Sequence, residues 1–481
     1  MSALLKLPDL SRLPDFVRHP LRPRYLAFLA LMALAVLLGM FTPLFVQMMG
    51  EKPTKVLALP AAMVFGLMLA YDRRLTLLII IVLRAGIEQA LTVTQLNLAG
   101  IPLGVGGLLN GCVILIAAML VIENPKAVPR RAFITWVPFL VLFIAELLPS
   151  PARGEGMRQC LQLLSYYAMF ISGFYFGRTP EEFRRTIKLI VWSSAIPALY
   201  AVYDLVFNFS AGYRMRSTFG HPNVLAVYMT VVISLTFYLL QTLAKETPRW
   251  RRALLAGYLF FLIGMLLMTK TRSAWAATAV GFALYGLIFN RRYLVYMLLT
   301  GIVALFLPGV GDRLLDLTQG NEVGTYANLN SFSWRVYLWE CALAWMEPLR
   351  YFTGYGLQSF KHNSLGFFPF AGGVNWLAHS VYVQLIFELG VGGLAAFLWL
   401  HWSVIKGLFP LYKVDRLAMF SLILLVCNFL ICAVSDNMFD YLVYNWYWWF
   451  AVGVGSALAQ TALPAVQAPD ARSKVPQRRY R

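Results

Sequence analysis

Charged side chains are scarce in this sequence. Asp, Glu, Lys and Arg make up 13% of 481 residues and hydrophobic residues 59%, whereas soluble domains average about 25% charged and about 45–50% apolar residues. This composition excludes an ordinary soluble globular protein. It predicts an integral membrane protein of the all-α class, a polytopic helical bundle.

Acidic residues are scarcer than basic ones, with 22 Asp and Glu against 41 Lys and Arg and a net charge of +19. The basic residues come in short clusters between apolar runs, where they orient transmembrane helices. We therefore expect membrane lipids around the chain and no nucleic-acid partner.

Cysteine is also rare, and its five positions lack any C-x-x-C spacing. We expect no disulfide framework, no metal site and no cofactor. The first 24 residues lack the apolar core and cleavage site of a signal peptide, so we interpret residues 1–24 as a basic cytoplasmic arm.

Apolar runs long enough to span a bilayer recur along the chain. The runs at 56–71 and 75–91 are weak and fit half-helices or a re-entrant pair as well as full spans, so the expected number of transmembrane helices is about 12 to 14. The candidates are 25–49, 56–71, 75–91, 102–122, 132–148, 159–177, 187–207, 223–243, 253–269, 274–290, 293–309, 379–405, 417–434 and 443–460.

The distribution of basic residues predicts the orientation. With the N-terminus inside, 28 of the 41 Lys and Arg residues lie on the cytoplasmic side, so both termini are expected there. The resulting organisation has an N-terminal arm, a bundle at 25–309, a long periplasmic loop at 310–378, C-terminal helices at 379–460 and a disordered basic tail at 461–481. A loop of this length predicts a lid or a small helical subdomain.

Several cations fall on the outer side, where the orientation rule does not require them. Arg214 and Arg216 stand before the span at 223–243, and two guanidiniums at a membrane boundary suit a pyrophosphate or an anionic headgroup. Snorkelling toward ordinary lipid phosphates is the alternative. Lys270 and Arg272 precede another span, and Arg335 lies in the long loop.

Two other motifs have simpler explanations. His221 and Asn223 are expected to cap the helix that follows Pro222. Gly354 and Gly356 predict a tight turn and are very weak evidence of phosphate binding.

The stretch HSVYVQLIFELGVGG begins with His379 at the outer end of a span. Tyr382 lies on the same helix face as His379, whereas Glu388 lies about 180° away and is expected to pair with a neighbouring helix. A lone histidine at a membrane boundary is usually only tolerated there. Several arginines on the same side make a functional site more plausible.

These residues resemble the O-antigen ligase and O-antigen polymerase superfamily. His379, Ser380, nine intervening residues and then Gly390 and Gly393 fit its signature, and FGHPN, TRSAW and WRVYLW precede this signature in the order that the family has. The resemblance is strong over about 200–400. Before residue 180, this chain and the superfamily share only a series of transmembrane spans.

The resemblance implies a membrane glycosyltransferase that acts without a metal and with inversion at the periplasmic face of the bacterial inner membrane. Its donor would be a glycan on undecaprenyl pyrophosphate, and its acceptor a sugar hydroxyl of a glycan or of lipid A core. Arg216, Arg272 and Arg335 would hold the pyrophosphate with help from Arg214 and Lys270. His379 would be the general base, and Tyr382 would orient the acceptor.

Two reactions and one non-enzymatic function fit these features. We favour an O-antigen or exopolysaccharide polymerase, with a chain-length regulator as a possible partner, over a ligase that transfers lipopolysaccharide O-antigen to lipid A core. A transporter or flippase of the same glycolipid is the third hypothesis. Its best support is Arg84 and Glu88, an i, i+4 pair inside a weak span.

Overall fold

A computed structural model describes residues 66–93, 95–98, 101–210, 212–244, 246–306, 310–315 and 329–467. The chain divides into two compact units, Met1–Ile79 with Leu96–Pro102 and Ile80–Gln95 with Leu103–Arg481. The described part of the first unit contains the start of helix α1, where the Asp72 carboxylate accepts hydrogen bonds from the amides of Arg74 and Leu75. The predicted arm at 1–24 and the predicted span at 25–49 lie outside the described residues.

Helices dominate the described chain, and the predicted all-α polytopic class is confirmed. Two strands of four residues each, β1 and β2, form one short two-stranded sheet. The elements in chain order are α1 (Arg73–Arg84), α2 (Glu88–Val93), β1 (Gln95–Leu98), β2 (Ile101–Gly104), α3 (Val105–Glu123), α4 (Arg130–Ala145), α5 (Arg153–Gly173), α6 (Pro180–Trp192), α7 (Ala195–Phe207), α8 (Pro222–Gln241), α9 (Arg249–Met268), α10 (Arg272–Ile288), α11 (Arg292–Leu305), α12 (Val310–Leu315), α13 (Ser331–Trp345), α14 (Arg350–Thr353), α15 (Ser359–Phe367), α16 (Val381–Leu408), α17 (Arg416–Cys432) and α18 (Leu442–Gln467).

Among the described residues, five helical segments are long and apolar enough to cross a membrane. They are α3, α6 with α7, α8, α9, and α16 with the 3₁₀ turn after it. α11 and α17 are apolar but shorter. The predicted run at 75–91 is interrupted, because α1 ends at Arg84 and α2 begins at Glu88. α18 continues to Gln467, into the segment from 461 that we predicted to be disordered.

The core of the larger unit forms around α8 and around the contact of α5 with α18. Every residue from Leu225 to Leu239 on α8 is buried. A Cβ at Gly453 would lie 2.2 Å from the Phe170 carbonyl oxygen, so α18 can approach α5 this closely only because glycine has no side chain.

α16 is broken where the sequence reads ELGVGG. Gly390 has φ 69° and ψ −176°, which is not helical and which favours glycine. The break frees two carbonyl groups, and the amides of Tyr355 and Gly356 donate to them at 2.9 and 3.0 Å, to Phe387 and Glu388 respectively. The Gly354-x-Gly356 segment therefore completes the hydrogen bonding of a broken helix.

Helices α13, α14 and α15 occupy the described part of the predicted long loop. They share an apolar cluster that includes Leu338, Phe360 and Phe387. The Trp339 indole donates to the Ala378 carbonyl at 2.6 Å, so α13 is tied to the residue before His379. This contact fixes α13 against the start of α16.

Candidate functional site

Five segments of the larger unit meet around a pocket of about 430 Å³. They are the loop before α8, the loop before α10, α12, the start of α13, and the loop between α17 and α18. The lining residues are Arg214, Asn223, Lys270, Thr271, Arg272, Ser273, Ala276, Arg313, Ser331, Phe332, Arg335, Ser435 and Asp436. We call this the basic pocket.

The charge of the basic pocket is strongly unbalanced, because five basic side chains face one carboxylate, that of Asp436. Burial and the neighbouring Arg313 lower the pKa of Arg214, although Asp436 acts in the opposite direction. Such an excess of fixed positive charge produces mutual repulsion among the basic side chains of the pocket. An anionic ligand would relieve this repulsion.

The Arg214 guanidinium is held in place by neutral acceptors. It donates to the Thr269 carbonyl at 2.9 Å, to Asn223 Oδ1 at 2.8 Å and to Thr271 Oγ1 at 3.2 Å. Because none of these partners is an anion, the full charge of Arg214 is available to a ligand.

The single carboxylate of the pocket is the centre of a hydrogen-bond network. Asp436 is 1% exposed and accepts from Asn223 Nδ2, Ser273 Oγ and Tyr441 Oη at 2.8, 2.7 and 3.1 Å. Asp436 therefore connects the starts of α8, α10 and α18 to the loop between α17 and α18. The Asn223 amide bridges Asp436 and Arg214, so the positions of these charges depend on each other.

The other cations are positioned by α10, α12 and α13. Arg272 donates to the Arg313 carbonyl at 3.1 Å and to Ser331 Oγ at 2.5 Å. The Asn330 side chain caps α13 by accepting from the amides of Phe332 and Ser333. Arg335 lies one turn further along that helix and makes no side-chain hydrogen bond or ion pair within the described part of the chain.

Backbone strain is found at two of the predicted site residues. Lys270 and His379 have φ of 53° and 50°, a region that costs a residue with a Cβ on the order of 1 kcal/mol. Each stands directly before the N-cap of a helix, Thr271 or Ser380. Such conformations persist only where the surrounding structure enforces them, and they cluster at functional sites.

His379 lies next to the basic pocket and is held by Asn437. Its amide donates to Asn437 Oδ1 at 2.7 Å, and Asn437 Nδ2 lies 3.3 Å from its Nδ1. Burial, then Arg335 and His221, lower the pKa of His379 to about 4. The imidazole is therefore neutral at physiological pH.

The structure places four of the predicted cations, Arg214, Lys270, Arg272 and Arg335, around one pocket. Arg216 is exposed and is not among the lining residues. Tyr382 does not line the pocket either, since its hydroxyl donates to the Leu430 carbonyl at 2.8 Å and so anchors α16 to α17.

The predicted helix cap is correct for only one of its two residues. His221 is the N-cap of α8, and its Nδ1 accepts from the Asn223 amide at 3.1 Å. Asn223 belongs to the Asp436 network instead. Glu388 is buried, as expected, and bonds the Gln384 side chain and the amides of Gln358 and Phe360 at the start of α15.

Sequence reasoning missed Arg313, Asp436 and Asn437. A signal for the last two was present, because SDN at 435–437 is a polar stretch between the final two apolar runs, on the same predicted side as the cations. Within the described residues, no three His, Cys, Asp or Glu side chains are grouped as metal ligands.

The fold and this pocket define a multi-pass membrane protein with a cationic site at the ends of its helices. Residues 257–398, from α9 into α16, match the family model described as O-antigen ligase. The match confirms the resemblance carried by TRSAW, WRVYLW and the HSVYVQLIFELGVGG signature, and it indicates an enzyme of the membrane glycosyltransferase type. No curated protein sequence shows significant similarity to the chain.

The matched segment covers part of the site. It includes Lys270, Arg272, Arg335 and His379, whereas Arg214, Asp436 and Asn437 lie outside it. The basic pocket is thus completed by residues from both sides of the matched segment.

Proposed function

We propose that this protein transfers a glycan from a polyprenyl pyrophosphate, of the undecaprenyl type, to an acceptor sugar hydroxyl. The observation that carries this proposal is the basic pocket, where five cations and one carboxylate stand at the ends of apolar helices. The family match over 257–398 supports the same reaction class.

The chemistry of the donor fits this charge distribution. The bond from the anomeric carbon to the phosphate oxygen breaks, its electron pair stays on the pyrophosphate, and the acceptor oxygen attacks the opposite face of the sugar. The developing negative charge on the leaving group needs fixed donors, which Arg214, Arg272 and Arg335 supply. Arg313 and Lys270 add charge to the same pocket.

A second pocket supports a lipid-linked donor. An apolar pocket of about 480 Å³ lies among α8, α9, α10 and α11. On α10, Ala276 lines the basic pocket, while Trp275 and Ala279 line the apolar one. The two pockets are thus lined by neighbouring residues of α10, an arrangement that suits a donor with its pyrophosphate in the first pocket and its apolar chain in the second.

Two versions of this function, polymerisation and ligation, differ in the acceptor that receives the glycan. We propose polymerisation, in which the acceptor is another lipid-linked glycan, at the periplasmic face of the inner membrane. The description of the matched family favours ligation to lipid A core as the second candidate.

The pair that motivated the transporter hypothesis also has a structural explanation. Arg84 and Glu88 form an ion pair between α1 and α2, and the Arg84 guanidinium lies 5.4 Å from the Trp446 ring centre. The ion pair thus joins the end of α1 to the start of α2, and Arg84 packs the end of α1 against α18. A structural ion pair accounts for them.

Reconstitution of the purified protein in liposomes tests the proposal. The liposomes would contain a lipid-linked repeat unit, with or without lipid A core, and products would be separated by size. A ladder without core indicates polymerisation, and product only with core indicates ligation. Arg335→Ala should reduce either product by about 100-fold, the usual effect of losing one transition-state donor. Absence of product in both arms would refute glycosyl transfer.

A further inference from the structure

The contacts of Asn437 determine the tautomer of His379. The His379 amide can only donate, so the Asn437 atom 2.7 Å away must be the carbonyl oxygen, Oδ1. The other end of the amide, Nδ2, therefore faces His379 Nδ1 at 3.3 Å. An NH₂ group can only donate, which makes Nδ1 the acceptor. The single proton of the neutral imidazole must then reside on Nε2.

This arrangement is the reverse of the one that a general base requires. A histidine base usually donates its Nδ1 proton to a carboxylate or carbonyl, which leaves the Nε2 lone pair to accept a proton. Here the Nε2 atom carries a proton and makes no hydrogen bond to any residue in the described ranges. If Nδ1 were also protonated, its N–H would point at the Asn437 NH₂ group, and two donors would face each other. This disfavours the imidazolium and agrees with the lowered pKa of His379.

The His379 imidazole lies beside the basic pocket, where a hydrogen-bond donor can contact a bound anion. The ring centre of Trp334, the residue before Arg335, is 6.3 Å from that of His379. Arg335 itself is close enough to lower the histidine's pKa. Asn437 is the neighbour of Asp436, which lines the basic pocket. An uncharged N–H beside these guanidiniums complements an anionic oxygen without adding repulsion.

We propose that His379 acts through its Nε2–H as a hydrogen-bond donor to the leaving pyrophosphate, and that Asn437 is the positioning residue that fixes this tautomer. The inference rests on the proposed glycosyl transfer. His379 keeps its proton throughout, the broken bond's electron pair stays on the phosphate oxygen, and the acceptor hydroxyl releases its proton to water.

Three substitutions at His379 separate a donor from a base. A glutamine amide places an N–H close to the position of Nε2, whereas asparagine reaches only the position of Nδ1. We expect His379→Gln to keep turnover within about tenfold of wild type. His379→Asn and His379→Ala should lose about 100-fold or more, as for removal of one transition-state donor. If all three lose activity equally, His379 is not a donor. His362→Gln, an exposed histidine on α15, is the matched control and should be unaffected.

Substitution of Asn437 is expected to give opposite results if His379 is a hydrogen-bond donor and if it is a general base. In Asn437→Asp a carboxylate still accepts from the His379 amide, but it also accepts from Nδ1–H and moves the ring proton there. A donor model predicts a loss of tenfold or more in turnover, and a base model predicts unchanged or higher turnover. The loss should disappear in the His379→Gln background, because glutamine has no tautomer to shift.

A spectroscopic measurement checks the tautomer directly. Nitrogen-15 NMR of histidine-labelled protein, assigned with His379→Gln, should show protonated Nε2 and bare Nδ1 in wild type and the reverse in Asn437→Asp. Bare Nε2 in wild type would overturn the inference even if glycosyl transfer is observed. An inactive wild-type protein with protonated Nε2 would instead refute the proposed function and leave standing only the assignment of the tautomer to Asn437.

Discussion

Residues that are close in sequence have different positions in this site. Arg214 and Arg216 look equivalent in YRMRS, but Arg214 is half-buried and bonded within the pocket, while Arg216 is exposed. The difference arises because the two side chains leave an irregular loop in different directions. That direction depends on contacts with Thr269 and Asn223, which come from other segments.

This contrast gives a paired prediction. Arg214→Ala should lower turnover about 100-fold, because it removes a donor from the proposed pyrophosphate site. Arg216→Ala should stay within about threefold of wild type. Initial rates with the reconstituted donor measure both. Equal losses would show that the pocket extends to Arg216.

The pH dependence of turnover tests the environment of His379. Because its pKa is lowered to about 4, the imidazolium accumulates only below about pH 4 and the ring stays neutral from pH 6 to 8. Arg335 on α13 and His221 before α8 are the charged or titratable groups that contribute to this shift. The ratio of wild-type to His379→Gln turnover should therefore be constant across that range. A change of the ratio in either direction as the pH falls below about 6.5 would indicate an ordinary pKa.

At the scale of elements, the break in α16 connects the family signature to the site. The break at Gly390 is stabilised by amides of the segment before α15, and the first part of α16 begins directly after His379 and the N-cap Ser380. The amide of Val381 also donates to the Ala433 carbonyl at 2.9 Å. These contacts fix the start of α16 relative to the loop that carries Asp436 and Asn437.

Two glycines of the same helix provide a stability test. In Gly390→Ala the new Cβ would lie 2.2 Å from the Phe352 carbonyl oxygen at a φ of 69°, which should destabilise the protein by about 3 kcal/mol or more. Gly392→Ala has no atom within 4 Å of its new Cβ and should change stability by less than about 1 kcal/mol. Thermal unfolding in detergent measures both variants. Similar melting temperatures for the two would contradict the described break.

At the scale of the whole molecule, the distribution of basic residues predicts which side each loop faces. The helical subdomain of α13–α15 and the basic pocket belong to the outer side in this prediction. The link between α8 and α9 belongs to the inner side, together with Trp250 and Arg251 in the first turn of α9. Access of the proposed lipid-linked donor to the site from the periplasm depends on this arrangement.

Cysteine labelling tests the sidedness. In a variant without its native cysteines, Val374→Cys should react with a membrane-impermeant maleimide in intact cells, because Val374 is 54% exposed and lies before α16. Trp250→Cys, also exposed at 63%, should react only after permeabilisation. The reverse pattern would invert the topology and place the basic pocket on the cytoplasmic side.

The sequence predicted much of the cation set, because charges on the unexpected side of a membrane protein are conspicuous. Four of the five predicted cations line the pocket. The roles of Asn223 and Tyr382 could not be read in the same way. A polar side chain at a helix end can cap its own helix or bond another, and only the neighbouring segments decide between these.

Composition alone determined that this is a membrane-embedded helical protein, because a chain with so few charges cannot be stable as a soluble globule and must satisfy its backbone hydrogen bonds within helices. The tertiary structure decided what surrounds the imidazole. Asn437 lies 58 residues from His379, and no local pattern links the two. A donor or acceptor role for a histidine depends on which atom of a distant amide faces it, and the packing of α16 against the α17–α18 loop sets that choice.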